Sequence, residues 1–408
     1  MNLNQATEKL KKYQQEHVLT YYDQLSVPEQ AELLNQIEDT DFSVLEQINH
    51  GPADSGRGTI TPIQAMQKSQ IDANRVQYTK IGLEAIRAGR IGAVLLAGGM
   101  GTRLGSDNPK GMYDIGITKP VYIFERLIRN LLDIVDLSGT WIHLFIMTSD
   151  KNHEATVSFF QEKEYFTYHP EYIHFFQQEM APASTYQGQV YMESKSKIAT
   201  SPNGNGGWFS SMKKAGLLDI IHQNGIQWLN VFAVDNVLQR IADPCFIGAT
   251  IEKKCKVGAK VVRKNNPDEK VGVMCLEDGR PSIVEYYELT DQLRNTRDEN
   301  GDPAYNFGVI LNYLFHEKSL EEISDKELQL HIVEKKIPYI DENAQPVKPD
   351  QPNGYKFETL ILDMIHMLDT CLPFEVERDK EFAPIKNKTG VDSIESAQNL
   401  LKKNGIAL

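Results

Sequence analysis

Apolar positions along this chain fall into two rhythms. Up to about residue 90 they recur at helical spacing among charged residues. Leu33, Leu34 and Ile37 follow Ser26-Val-Pro-Glu29, where Ser26 suits a cap, Pro28 the tolerated first turn and Glu29 a capping box. A second helical pattern covers Ile81 to Ala88, and Gly51-Pro52-Ala-Asp-Ser-Gly-Arg-Gly58 reads as a loop. From Ile91 onward short apolar runs alternate with helical patterns, which predicts an α/β sheet. Predicted strands are Ala93–Ala97, Ile142–Thr148, Tyr172–Phe176 and Trp228–Val234, and predicted helices lie at about Val121–Leu132, His153–Phe160 and Trp208–His222. Val257–Lys264 and Val271–Leu276 also read as strands. Asp278-Gly279 is a hairpin signal that turns the second of these into Ile283–Tyr286.

The first predicted strand runs straight into Leu96-Ala-Gly-Gly-Met-Gly-Thr-Arg-Leu-Gly105 and then Ser106-Asp-Asn-Pro-Lys-Gly111. Polyanions are held well by backbone N–H groups lining a concave turn. Glycines at Gly98, Gly99 and Gly101 are expected to take positive φ and bring the main chain close to phosphate oxygens. Arg103 offers a planar fork and Lys110 a compact charge for the same anion. A Walker loop is excluded because Lys110 is followed by Gly111, and a dinucleotide fingerprint because its third glycine would fall on Leu104. Ligands of such sheets collect beyond the C-terminal strand ends, where this loop sits.

Composition narrows the partners. The formal net charge is −13, and no basic block suits nucleic acid. No apolar run approaches the roughly 20 residues that span a bilayer. Met1-Asn-Leu-Asn-Gln lacks a basic-then-apolar leader, so the expected location is the cytoplasm. The cysteines Cys245, Cys255, Cys275 and Cys371 show no C-x-x-C spacing and read as reduced thiols. Nothing in the pattern addresses oligomeric state.

Three further stretches carry candidate chemistry. Phe175-Phe-Gln-Gln-Glu-Met-Ala-Pro182 leaves a strand for a polar turn, where a side-chain amide can read a pyrimidine edge or simply end the strand. Ser201-Pro-Asn-Gly-Asn-Gly-Gly207 is a second glycine loop that opens toward a helix, suited to nucleotide or sugar groups and equally to a flexible turn. Trp228-Leu-Asn-Val-Phe-Ala-Val-Asp-Asn236 reads as a strand ending in Asp235, a carboxylate placed to hold a metal ion or to cap a turn.

Together these motifs resemble the signature L-A-G-G-x-G-T-R-L-G-x-x-x-P-K-G of the UDP-sugar pyrophosphorylases, most closely the eukaryotic-type UDP-N-acetylhexosamine pyrophosphorylases. The match runs from about Gly92 to Asn387. The resemblance implies a Rossmann-like nucleotidyltransferase core with a GT-A-like mixed sheet over 91–345, a helical N-terminal region over 1–90 and a small C-terminal domain over 346–408. It implies nucleotide contacts at Leu96, Ala97, Gly98, Gly99, Gly101, Gln178, Gly204 and Lys356, with Gln178 reading uracil. Sugar contacts are implied at Asn205, Gly272, Glu285, Tyr286 and Asn306, and Mg²⁺ at Asp235. Arg103, Lys110 and Lys386 are implied as catalytic, Lys386 through Glu381-Phe-Ala-Pro-Ile-Lys-Asn387. Three positions depart from the family pattern, namely Glu179 for glycine, Asn203 for aspartate and Val309 for asparagine, which implies a shifted pocket.

The implied reaction joins UTP and a sugar 1-phosphate into UDP-sugar and pyrophosphate, with UDP-N-acetylglucosamine or its galactosamine analogue as product. A phosphate nucleophile is anionic near neutral pH, its second pKa being about 6, so the lack of a Ser/His/Asp or Cys/His constellation fits. A UDP-glucose pyrophosphorylase and a non-catalytic nucleotide-sugar binder are the alternatives. The binder is expected to have lost a phosphate or metal residue, yet Arg103, Lys110, Asp235 and Lys386 are all present.

Overall fold

Ile91-Gly-Ala-Val-Leu-Leu96 is buried along its whole length, as expected of a parallel strand covered on both faces. It lies inside a ten-stranded sheet in the computed structural model of the chain, which describes residues 1–50, 57–326 and 328–408. The strands of that sheet are β1 (Ile60–Pro62), β2 (Ile91–Leu96), β3 (His143–Thr148), β4 (Ile173–Gln177), β5 (Trp228–Ala233), β6 (Val257–Arg263), β7 (Val273–Glu277), β8 (Arg280–Val284), β9 (Phe307–His316) and β10 (Cys371–Glu375). The main path runs β1-β7-β9-β5-β2-β3-β4, with β6 pairing β9 and β10, and β8 pairing β7. Strands β5, β2, β3 and β4 are mutually parallel, whereas β9 is antiparallel to β5 and β6. The mixed sheet expected of the fold class is therefore present. Helices Lys68–Arg87, Ile123–Ser138 and Pro244–Glu252 contribute Ile86, Leu127 and Phe246 to its core.

The chain divides into two compact units, each discontinuous in sequence. The first comprises Met1–Arg57, Glu179–Gly207 and Leu328–Ile361; the second comprises Gly58–Gln178, Trp208–Glu327 and Leu362–Leu408. These limits differ from the expected segments 1–90, 91–345 and 346–408. Residues 58–90 and 362–408 pack with the large sheet, and the smaller unit collects three separate stretches around a core that includes Leu33, Ile37, Phe42, Ile198 and Phe357.

Local expectations hold where a side chain enforces them. Ser26 N donates to Glu29 Oε2 at 2.8 Å at the head of helix Val27–Asp39. Asp278 and Gly279, with φ of +49° and +79°, turn β7 into β8. The helix expected over Trp208–His222 is two, Trp208–Lys214 and Leu218–Gln223, because Gly216 turns left-handed at φ +73° and ends the first. Most of the expected loop at Gly51–Gly58 lies outside the described residues.

Candidate active site

Beyond β2 the backbone leaves the sheet as a hairpin-like loop. Gly101 N donates to Asn108 O at 2.8 Å and Lys110 N to Gly99 O at 3.1 Å, so the segment bearing Lys110 folds back along the glycines. None of Gly98, Gly99 and Gly101 has positive φ, contrary to expectation; the left-handed glycine is Gly105, at +78°. Gly98 and Gly101 are required by space. A Cβ on Gly98 would stand 2.5 Å from Gln178 Nε2, and one on Gly101 would stand 3.0 Å from Asn108 O. Gly99 faces open space, which leaves the outer face of the loop accessible to a ligand.

Gln178 comes to this loop from the end of β4. Its N–H donates to Thr148 O at 2.8 Å, and its side chain is buried against Gly98. The loop itself is stapled from below by Asn152, whose Nδ2 donates to Ala97 O at 2.9 Å and Gly99 O at 3.4 Å while its Oδ1 accepts from Ser149 N at 2.7 Å. Asn152 is fully buried and was missed in the sequence. In Ser149-Asp-Lys-Asn152 it reads as a helix cap, since Asn ahead of an apolar period is the usual cap signal.

The charged groups converge. Lys110 Nζ lies 4.0 Å from Asp235 Oδ2, both side chains being less than a quarter exposed or close to it. Burial holds the Lys110 ammonium below the ordinary lysine range; Asp235 pulls it back up, and nearby Lys386 and Arg103 push it further down. Three cations and one carboxylate thus share one electrostatic neighbourhood. Asp235 stands in the turn two residues past the last residue of β5, Ala233, and is not the strand's last residue. Its carbonyl accepts from Ile385 N at 2.8 Å, which places the Lys386 segment alongside. Lys386 Nζ meanwhile rests 3.4 Å from Asp392 Oδ2.

The expected sugar residues of the same unit lie along β7 to β9. A Cβ on Gly272 would meet Glu285 Oε1 at 3.3 Å, so those two are adjacent, and Val309 N donates to Gly272 O at 2.9 Å. Tyr286 is exposed beside Tyr287, and Asn306 is buried with its Oδ1 accepting from Lys264 N at 3.0 Å.

Gly204, Asn205 and Lys356 belong to the smaller unit. Gly204 is left-handed at φ +89° and would carry a Cβ only 2.2 Å from Thr359 O, so glycine is obligatory there. Asn203 O accepts from Thr359 N at 2.6 Å and Asn205 Oδ1 from Ile361 N at 3.0 Å, sewing the second glycine loop to 359–361. Lys356 lies on strand Gly354–Glu358, opposite Val333.

Parallel strands whose ends carry a glycine loop, a glutamine and a lysine beside a carboxylate, with two further cations near that lysine, suit a nucleotide-binding α/β enzyme. The chain belongs to the UTP–glucose-1-phosphate uridylyltransferase family, whose model matches residues 56–406. It is 32% identical to UDP-N-acetylhexosamine pyrophosphorylase-like protein 1 of Mus musculus, across 93% of this chain and 79% of that protein. Identity to the UDP-N-acetylglucosamine pyrophosphorylase of Saccharomyces cerevisiae is 35%, over 94% of this chain and 82% of the relative. The crystal structure of a UDP-N-acetylglucosamine pyrophosphorylase described as putative, from Entamoeba histolytica, superposes with a TM-score of 0.78 at 32% identity, covering 85% of this chain and 88% of that one. The chain is a uridylyltransferase of this type. Among the described residues no helix is long and apolar enough to cross a membrane.

Proposed function

We propose that the chain forms UDP-N-acetylglucosamine, or its galactosamine analogue, from UTP and the N-acetylhexosamine 1-phosphate in the cytoplasm. A phosphate oxygen of the sugar 1-phosphate attacks the α-phosphorus of UTP. The bond from that phosphorus to the bridging oxygen breaks, and pyrophosphate leaves. The observation that carries this reading is Lys110 beside Asp235, with Arg103 and Lys386 close enough to Lys110 to act on its charge. Catalysis then consists of alignment and neutralisation of charge on the leaving oxygens, with no general base. The loop backbone and Arg103 hold the triphosphate, Lys110 meets the departing pyrophosphate, and Lys386 bridges the two facing phosphates. Gln178 reads uracil against Gly98, with Gly204 and Lys356 as further nucleotide contacts. Asn205, Gly272, Glu285, Tyr286 and Asn306 are the proposed sugar contacts.

Asp235 fits Mg²⁺: it is a partly exposed carboxylate among cations that bind phosphate, and Mg²⁺ commonly takes one or two carboxylates plus phosphate oxygens and water. The ion would supply charge neutralisation at the α-phosphate. The N-acetyl preference rests on the named relatives and on the motifs around Asn205 and Glu285. Rates of pyrophosphate release with a panel of GlcNAc-, GalNAc-, glucose- and galactose-1-phosphates test it. Preference for an N-acetylated sugar is expected, and turnover of glucose 1-phosphate alone would move the protein to the sister activity.

A further inference from the structure

Lys260 on β6 is wholly buried, an unusual place for a lysine. Its Nζ lies 2.5 Å from Glu381 Oε2, 3.0 Å from Asp243 Oδ2 and 3.2 Å from Arg240 O. Lys260 sits where the β6–β9 ladder shifts register between Ala259 and Val261, and across that break Leu311 is left-handed at φ +51°. A non-glycine residue held there costs about 1–2 kcal/mol, so the surrounding structure maintains this local geometry against strain.

Glu381 opens the strap that ends in Lys386. Along that strap Asn236 Nδ2 donates to Glu381 O at 2.8 Å, Ala383 N donates to Asn236 Oδ1 at 2.9 Å, and Ile385 N donates to Asp235 O at 2.8 Å. The strap therefore runs beside the turn carrying Asp235, and its far end is locked by a buried ion pair. We propose that Glu381 is a positioning residue: its carboxylate, seated on Lys260, fixes the register of the 381–386 strap against Asp235, so that Lys386 and Asp235 meet the same phosphates. A buried ion pair suits this task better than apolar contact. Apolar packing is often at least as stabilising but tolerates a slide along the turn, whereas Glu381 has one seat.

This inference rests on the uridylyltransfer reading, so the assay begins with the wild-type chain. With wild type active, Glu381→Gln is expected to lower kcat about 10- to 100-fold while KM for UTP stays within about threefold, the scale set by misplacing a catalytic group. In a Lys386→Ala background the same substitution is expected to change kcat by less than about twofold, because its effect passes through Lys386. A kcat within about twofold of wild type, or an equal loss in both backgrounds, would overturn the positioning role. Should Glu381→Gln fail to fold, Glu381→Asp, which keeps the charge but shortens its reach to Lys260, is judged by the same criteria. A wild-type chain that releases no pyrophosphate would instead defeat the functional reading, and the positioning role with it.

Discussion

Gly98 and Gln178 share one packing site: a methyl group on Gly98 would lie 2.5 Å from the Gln178 amide nitrogen. The glycine loop and the Gln178 side chain are thereby packed as one feature. Gly98→Ala is expected to push Gln178 aside, raise KM for UTP about tenfold and weaken discrimination against CTP, with kcat largely kept. That pattern marks loss of ground-state and transition-state binding alike. Steady-state kinetics with both nucleotides check it, and an unchanged KM would refute the contact.

Lys110 is held in a charged form that the fold disfavours. Its folded pKa lies below that of the unfolded chain, so between the two values the unfolded chain binds more protons and stability rises with pH. Below both values the buried charge is a net cost to stability. Lys110→Met is therefore expected to raise Tm slightly while lowering turnover about 100-fold or more, the scale of removing a group that stabilises developing charge. In wild type, kcat/KM for UTP should fall on the alkaline side before pH 10.5, and Lys110→Arg should shift that limb upward. Thermal melts and a pH–rate profile decide both points.

Asn152→Ala leaves the Ala97 carbonyl without its side-chain donor under the glycine loop. The expected loss of stability is about 1–3 kcal/mol, and KM for UTP should rise more than KM for the sugar phosphate. Denaturant unfolding together with the two KM values tests it.

What could be read in the sequence follows from how local each signal is. β2 and its loop were legible because a parallel buried strand is a continuous apolar run, and the glycines, Arg103 and Lys110 follow within a few residues. The reason for Gly98 was not legible: it depends on Gln178, about 80 positions away in sequence and adjacent only in the fold. Lys260 was hidden for the same reason, since a lysine in Val257-Gly-Ala-Lys-Val-Val-Arg263 reads as a solvated position until Asp243 and Glu381 are brought to it. The two units interleave three stretches each, and no composition shift marks their crossings at 178/179 and 207/208. The break at Gly216 was local but looked like an ordinary helical glycine.

The half-buried pair His143 and His174, with Nδ1 2.9 Å from Nε2, bridges β3 and β4. Burial and the neighbouring His143 push the His174 pKa down to about 4, from 6.5, and burial also lowers that of His143. The neutral pair is favoured in the fold, so its contribution is present above pH 6.5 and is lost as pH falls toward 4. His174→Phe should flatten the decline of Tm over that range, which melts at stepped pH would show; an unchanged slope would refute it.

Uridylyl transfer is proposed to take place at Lys110, Asp235 and Lys386. Its most direct test is to incubate the purified chain with UTP, N-acetylglucosamine 1-phosphate and Mg²⁺ and follow the products by ³¹P NMR. UDP-N-acetylglucosamine and pyrophosphate are expected to appear in equal amounts, with turnover abolished by chelating the metal. Persistence of both substrates, or release of UMP and pyrophosphate without the nucleotide sugar, would contradict it.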